Sequence, residues 1–289
     1  MKAKIQENSL LLDVLQKLSP DSSKSALKSW VEKGRVWIDG AVAKKPHGEV
    51  KAGQVVSIGP RASFTDEGIK IVYEDRYLVV IDKPETLLSV ASLTEAERTV
   101  HAILKRRLGK LVYPVHRLDR DTSGLMMFAY TKEAQERLKK QFEEHAVMRH
   151  YIALVQGTLQ EKTGTWKSYL KEDECFRVYS VPTSKFGGQL AITHYEVIDE
   201  KPSFSCVRFA LETGRKNQIR VHCQDAGHSI LGDKKYGSRM NPYHRLCLHA
   251  FKLEFSHPFS HKKLSFASQL PPEFLHGREQ KIKQLYKQR

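Results

Sequence analysis

Val115-His116-Arg117-Leu118-Asp119-Arg120-Asp121-Thr122-Ser123-Gly124-Leu125 opens on an apolar residue, passes through a charged loop and runs into the apolar stretch Leu125–Ala129. Asp119 stands between Arg117 and Arg120, and a neighbouring guanidinium stabilises the charged form of a carboxyl group. Thr122, Ser123 and Gly124 supply turn chemistry and backbone donors ahead of a strand. An ionised aspartate in a basic loop suits a nucleophile at a sugar carbon, or a base that removes a sugar proton. The same residues could equally form an Asp-Arg surface pair that only orders a loop, and spacing alone leaves both readings open.

Outward from this loop, a second segment is rich in chemistry. Thr213-Gly214-Arg215-Lys216-Asn217-Gln218-Ile219-Arg220-Val221-His222 carries Arg215, Lys216 and Arg220 close together, and a Gly232-Asp233 turn follows. Such cations can grip a phosphate or neutralise a catalytic carboxylate. Between and around the two segments lie short apolar or β-branched runs: Ile69–Val72, Leu78–Ile81, Leu125–Ala129, Tyr151–Val155 and Cys206–Leu211. Helical periodicity falls at Val100–Leu108 and Glu133–Phe142, so strands mixed with helices predict an α+β domain from residue 69 to residue 289. The basic end Lys281–Arg289 reads as a helix end or a loose tail.

The first sixty residues read as a separate unit. Leu10, Leu11, Val14, Leu15 and Leu18 recur at helical spacing, so Ser9 or its neighbourhood opens a helix. Pro20–Ser23 breaks the chain, and a second helix places Ala26, Leu27, Trp30 and Val31 on one side, ended by Gly34. Lys24, Lys28, Lys33 and Arg35 bring positive charge to that helix and its exit. Val36–Ile38, a turn at Asp39-Gly40, and Val55–Ile58 complete a small sheet, and the polar residues 60–68 read as a linker.

Composition narrows the function. Lys and Arg number 48 against 33 Asp and Glu, a formal net charge of +15, so a polyanion is the expected partner. Charge alone does not separate RNA from DNA. No apolar run approaches the ~20 residues that span a bilayer, and the start carries no secretory signal pattern, so the expectation is a cytoplasmic protein without membrane contact. Cys175, Cys206, Cys223 and Cys247 form no CxxC pair and are expected as reduced thiols in or near strands, with no metal.

Residues 1–60 resemble the αL RNA-binding domain first recognised in a small-subunit ribosomal protein. The likeness rests on Ser25-Ala26-Leu27-Lys28, Gly34-Arg35-Val36-Trp37-Ile38-Asp39-Gly40 and Gly53-Gln54-Val55-Val56, with Asp39 where asparagine is common. Residues 69–260 resemble the RluA family of pseudouridine synthases. The carriers are His116-Arg117-Leu118-Asp119, Thr122-Ser123-Gly124-Leu125, Lys83-Pro84, Tyr151–Gly157, Arg245–Ala250 and His257-Pro258. The chain departs from that family at Lys216-Asn217, where Thr-His is usual, at Ser229 in place of proline, and at Glu85-Thr86 in place of Ala-Gly.

The resemblance implies a mixed-sheet catalytic domain that isomerises uridine to pseudouridine in structured RNA without a cofactor. Asp119 would be the catalytic carboxylate, acting on the anomeric carbon or on the neighbouring proton. Arg220 would pair with Asp119 and keep it ionised. Tyr151 would stack on the uracil and relay a proton, and Ile219 would form the floor beneath the base. Arg117 would fill the space left by a flipped base or clamp a phosphate. Large-subunit ribosomal RNA is the expected substrate and transfer RNA the alternative, with no obligate protein partner evident. Two other classes compete: a non-catalytic RNA-binding or ribosome-assembly protein, and a glycosidase-like hydrolase in which Asp121 would be the second carboxylate.

Overall fold

The computed structural model describes residues 2–20, 22–32, 36–39, 41–43, 45–58, 68–92, 95–275 and 277–287. The chain divides into two compact units, Met1–Asp66 and Glu67–Arg289.

The first unit runs β1 (Lys2–Lys4), β2 (Ser9–Leu10), α1 (Leu11–Leu18), α2 (Lys24–Glu32), β3 (Val36–Ile38), β4 (Ala41–Val42), β5 (Glu49–Val50) and β6 (Val55–Ile58). The periodic apolar residues Leu11, Val14 and Leu15 of α1 and Leu27 and Val31 of α2 close over Val36, Val50 and Val56. Burying one such side chain stabilises by about 1.5–3 kcal/mol, and this small core is what the two helices share. Four strands pair in the order β1-β6-β3-β4. Asp39, at φ 48°, accepts from the backbone N–H of Val55 at 2.8 Å and from the Gln54 amide at 3.0 Å. The Val55 bond needs only one carbonyl-type oxygen, which asparagine also carries, whereas the Gln54 bond ends on the second carboxylate oxygen.

The first helix opens in the neighbourhood of Ser9 rather than on it. Ser9 lies in β2, its hydroxyl donates to the Glu7 carbonyl, and α1 begins after Leu10 with no side-chain cap. Ser23 does cap α2, accepting from Ala26 N–H at 3.2 Å. Lys24 and Lys28 are exposed on α2, one turn apart. Lys33, Gly34, Arg35, Gly40 and most of the linker lie outside the described residues.

The second unit contains β7 (Lys70–Glu74), β8 (Leu78–Lys83), α3 (Val100–Leu108), β9 (Tyr113–Pro114), β10 (Ser123–Ala129), α4 (Lys132–Glu143) and β11 (Met148–Gln156). It continues through β12 (Thr163–Glu172), β13 (Val178–Val181), β14 (Gln189–Lys201), β15 (Phe204–Leu211), α5 (Gln218–Asp225), β16 (Leu248–Ser256), β17 (Lys263–Ala267), α6 (Pro272–Leu275) and α7 (Glu279–Lys287). The strands form one mixed sheet, ordered β13-β12-β14-β15-β11-β16-β10-β8-β7, with β17 on β16 and β9 on β10. Only β10 and β16 pair in parallel among the described residues.

Two irregularities in this sheet place the site. Gly124 has φ +112°, and a Cβ there would sit 2.3 Å from the Ala250 carbonyl oxygen, so only glycine lets β10 approach β16. On the other side of β16, the β11 register slips between His150 and Tyr151, and Tyr151 then also pairs with Ala250. A bulge of this kind re-aims a side chain. Tyr151 and the loop before β10 are thereby brought to the same place.

Helix and strand assignments along residues 69–155 follow the apolar runs, with Thr99 and Thr131 capping α3 and α4. The region 163–201 gave no such runs, yet it forms the longest strands. β12 alternates exposed and half-buried residues because one of its faces meets water, so its signal is weak. Thr122, Ser123 and Gly124 are less a turn than the entry to β10, which includes the last two. Of the two readings of the basic end, residues 281–287 follow the helical one: they belong to α7, which buries Ile282 and Leu285. Cys206 lies in β15 as expected, but Cys223 is on α5 and Cys175 is exposed in the β12–β13 connection.

Candidate active site

The loop before β10 is pinned at four of its residues. His116 is half-buried, and its Nε2 accepts the Met127 N–H at 3.1 Å while the ring lies 4.9 Å from that of Phe142. Burial, with the nearby Arg149 charge, lowers its pKa to about 3, so it is neutral. Leu118 exchanges two hydrogen bonds with the Ser89 hydroxyl, at 2.7 and 3.1 Å. The Arg120 carbonyl accepts from the Lys83 ammonium at 2.9 Å, and Asp119 is held across the cleft. Lys83 is itself buried and donates also to the carbonyls of Pro84 and Leu87. Burial pulls its pKa down to about 7 against the attraction of Asp121, Asp119 and Glu85.

Beneath the loop runs a buried chain of donors. Arg245 donates to Ser123, Ser123 to His249 Nδ1, His249 Nε2 to Ser268, and Ser268 to Asp82. Burial holds His249 neutral, with a pKa near 3, which this single direction of donation requires.

Asp119 Oδ2 receives two hydrogen bonds, from Asn217 Nδ2 at 2.5 Å and from Arg220 Nη1 at 3.2 Å. Both donors come from the start of α5, about a hundred residues away in sequence. Arg117 and Arg120, the flanking cations, are not its partners: Arg117 is exposed on the cleft wall, and Arg120 Nε reaches the Thr86 carbonyl. Arg220 holds Asp233 more tightly than Asp119, through a fork at 2.7 and 2.8 Å. Asp233 is 1% exposed and Arg220 10%, against 23% for Asp119. Burial opposes the charge on Arg220, but its bonds to the two carboxylates prevail and raise its pKa, so it stays cationic.

Asp119, Arg220, Tyr151, Ile219 and Arg117 all line one small open cleft. Leu118, Leu211 and Leu248 add to the apolar part of its wall, while Asn217, Gln218, Thr122 and Arg215 supply polar groups. An apolar wall faced by convergent polar groups suits a flat, hydrogen-bonding base. Burial raises the Tyr151 pKa, with Asp119 adding and Arg149 opposing, so the phenol is neutral. Asp121 lines a neighbouring cavity with Glu85, Lys234 and Arg245, so it does not face Asp119 as a second carboxylate. Lys216 is turned to Glu172 on β12. Among the described residues no His, Cys, Asp or Glu group of three is placed to hold a metal.

Sequence reasoning marked Asn217 only as a departure, and it passed over Asp233, Tyr236 and Lys83 as site components. Their signal was adjacency to marked motifs, which does not reveal contact.

Comparison with known proteins places this mixed sheet, with its aspartate-arginine cleft beside Tyr151, in a class of RNA-modifying enzymes. The RNA pseudouridylate synthase family matches residues 77–225 and the S4 domain matches residues 11–56. The ribosomal large subunit pseudouridine synthase D of Pasteurella multocida is 32% identical, over 95% of this chain and 93% of that protein. The dual-specificity RNA pseudouridine synthase RluA of the same organism is 38% identical, over 73% of this chain and 96% of that one. The solved structure of human RNA pseudouridylate synthase domain containing 4 shares the fold, with TM-score 0.60 and 23% identity over 74% of this chain and 93% of that one. The chain belongs to the RNA pseudouridylate synthase family, as an isomerase with an N-terminal S4 RNA-binding domain.

Proposed function

We propose that the protein isomerises uridines in large-subunit ribosomal RNA, with Asp119 as the catalytic carboxylate. The observation that carries this reading is the Asp119–Arg220 pair at 3.2 Å inside the cleft that also holds Tyr151 and Ile219. Both possible first steps, addition to the anomeric carbon or removal of the neighbouring proton, need an ionised carboxylate with a free oxygen. Arg220 supplies the counter-charge, and both bonds end on Oδ2, leaving Oδ1 for the reaction. The uracil released from the sugar turns within the cleft, over Ile219 and against the Tyr151 ring, and rejoins through its ring carbon. A phenol held neutral by burial can pass the last proton from that carbon. Arg117, exposed on the wall, would enter the stack as the target base leaves it, offsetting part of the unstacking cost of a few kcal/mol, or would clamp a phosphate.

The substrate class is supported by the names of the relatives that match nearly the whole chain. Lys24 and Lys28 of α2, with Lys33 and Arg35, would add phosphate contacts from the N-terminal unit. Such work belongs in the cytoplasm, and no described helix is long and apolar enough to cross a membrane.

Pseudouridine mapping across total RNA, from cells with the protein, without it, and with Asp119→Asn, tests the reading. Sites in large-subunit ribosomal RNA that vanish in both altered strains support it. Lost sites confined to transfer RNA would replace the substrate, and sites retained with Asp119→Asn would remove Asp119 from its role.

A further inference from the structure

We infer that Asn217 and Tyr236 act as a positioning relay for the Asp119 carboxylate, Tyr236 fixing which end of the Asn217 amide faces it. The inference rests on Asp119 being the catalytic carboxylate.

Asn217 has the left-handed backbone of φ 54°, ψ 18° at the head of α5, yet its side chain caps no backbone N–H of that helix. It bridges instead. Its Nδ2 donates to Asp119 Oδ2 at 2.5 Å, and its Oδ1 accepts from the Tyr236 hydroxyl at 3.1 Å. The Tyr236 oxygen in turn accepts the Val178 N–H at 3.3 Å. Every bond therefore runs one way: backbone N–H of β13 to phenol, phenol to amide oxygen, amide nitrogen to carboxylate. A backbone N–H cannot reverse, so the phenol proton is directed at the amide oxygen. A flipped amide would set its oxygen against a carboxylate, which repels. Bonds aligned in one direction polarise one another inside a protein.

Arg220 cannot do this work alone. Its fork is taken by Asp233, and only Nη1 remains for Asp119, at the longer distance of 3.2 Å. The guanidinium supplies charge, and the amide supplies the short directional bond. An amide also does not titrate, so the bond keeps its polarity at every working pH. The charged and titratable groups around Asp119 are Lys83 at the end of β8, Arg117 on the same loop, Tyr151 on β11, Arg215 ahead of α5, Arg220 on α5, and Asp233, Lys235 and Tyr236 on the turn beyond it. None of them occupies the place of the Asn217 donor.

The test is single-turnover pseudouridine formation on total RNA from cells lacking the protein, followed from about pH 5 to about pH 9. Asn217→Ala should lower the rate about ten- to a hundredfold, the usual range for a hydrogen bond to a charged group, with RNA affinity changed less than about threefold. Tyr236→Phe keeps the ring and should cost about three- to tenfold, and the double variant should be no slower than Asn217→Ala, because both act through one bond. Asn217→Asp sets a second carboxylate beside Asp119 and should move the acid limb of the pH profile up by about one unit or more. Should the Asn217 variants fail to fold, Tyr236→Phe decides by itself. Rates within about twofold of wild type for the foldable variants, or an additive double, overturn the relay. Asp119→Asn is run alongside: turnover by it removes the reading of Asp119 and the relay together, whereas inactivity with unchanged relay variants removes the relay alone.

Discussion

Replacing Arg220 by alanine should damage folding as well as chemistry, because its tighter partner is Asp233. The fork at 2.7 and 2.8 Å neutralises a carboxylate that is 1% exposed, so the variant leaves a buried charge without a partner. Breaking a buried pair from one side costs about 3–5 kcal/mol. For a unit of about 220 residues, each kcal/mol lowers Tm by about 2–4 °C, so a drop of roughly 6–20 °C is expected in a thermal melt. Adding Asp233→Asn removes the orphaned charge, and the double variant should regain more than half of the lost stability. Turnover should not return with it, since Asp119 still lacks its counter-charge. Arg220→Lys should fall between, because an ammonium cannot span the Asp233 fork and Asp119 together. Melts and single-turnover rates on the four proteins separate the two effects. A single variant that melts within about 2 °C of wild type would refute the reasoning. So would a double variant no more stable than the single one.

Three histidines set an acid limit on stability. Burial holds His116 and His249 near 3 and His222 near 4, below the ordinary 6.5, so the unfolded chain binds more protons in between. Stability should be whole above about pH 6.5 and fall as pH drops through that window, by up to about 1.4 kcal/mol per unit for each ring; urea midpoints near neutrality and near pH 5 check it. Gly124→Ala should be severely destabilised or insoluble, since its Cβ meets the Ala250 backbone at 2.3 Å, and a soluble variant with wild-type Tm would contradict the required closeness of β10 and β16. Deleting residues 1–66 should leave the second unit folded and lower the slope of log affinity against log salt by about 0.7–0.9 for each phosphate that the N-terminal unit had neutralised. An unchanged slope would mean that Lys24 and Lys28 touch no phosphate.

How much was legible depends on range. The apolar runs Leu78–Ile81, Leu125–Ala129 and Tyr151–Val155 were readable as strands because those strands are buried on both faces and need no alternation. β12 and β14 were not, because one face of each meets water and their residues are mixed. The motif His116–Asp119 was readable as a unit, and its residues turn out to have separate tasks: His116 and Leu118 anchor the loop, and Asp119 enters the cleft.

The partner of Asp119 was the point where local reasoning failed. Arg117 and Arg120 are near neighbours in sequence, but Arg120 reaches the Thr86 carbonyl and Arg117 stays exposed on the cleft wall, while Asn217 and Arg220 bond the Asp119 carboxylate. What the linear chain determined by itself was the family, the two-unit order and the residue types of the site, since these rest on local pattern and composition. Tertiary structure alone decided that Arg220 belongs first to Asp233, that a bulge at Tyr151 and the missing side chain of Gly124 meet at Ala250, and that Asn217 faces Asp119 with its nitrogen. These pairings join residues some thirteen to a hundred or more positions apart, and their geometry is set by how the sheet packs, which no local pattern encodes.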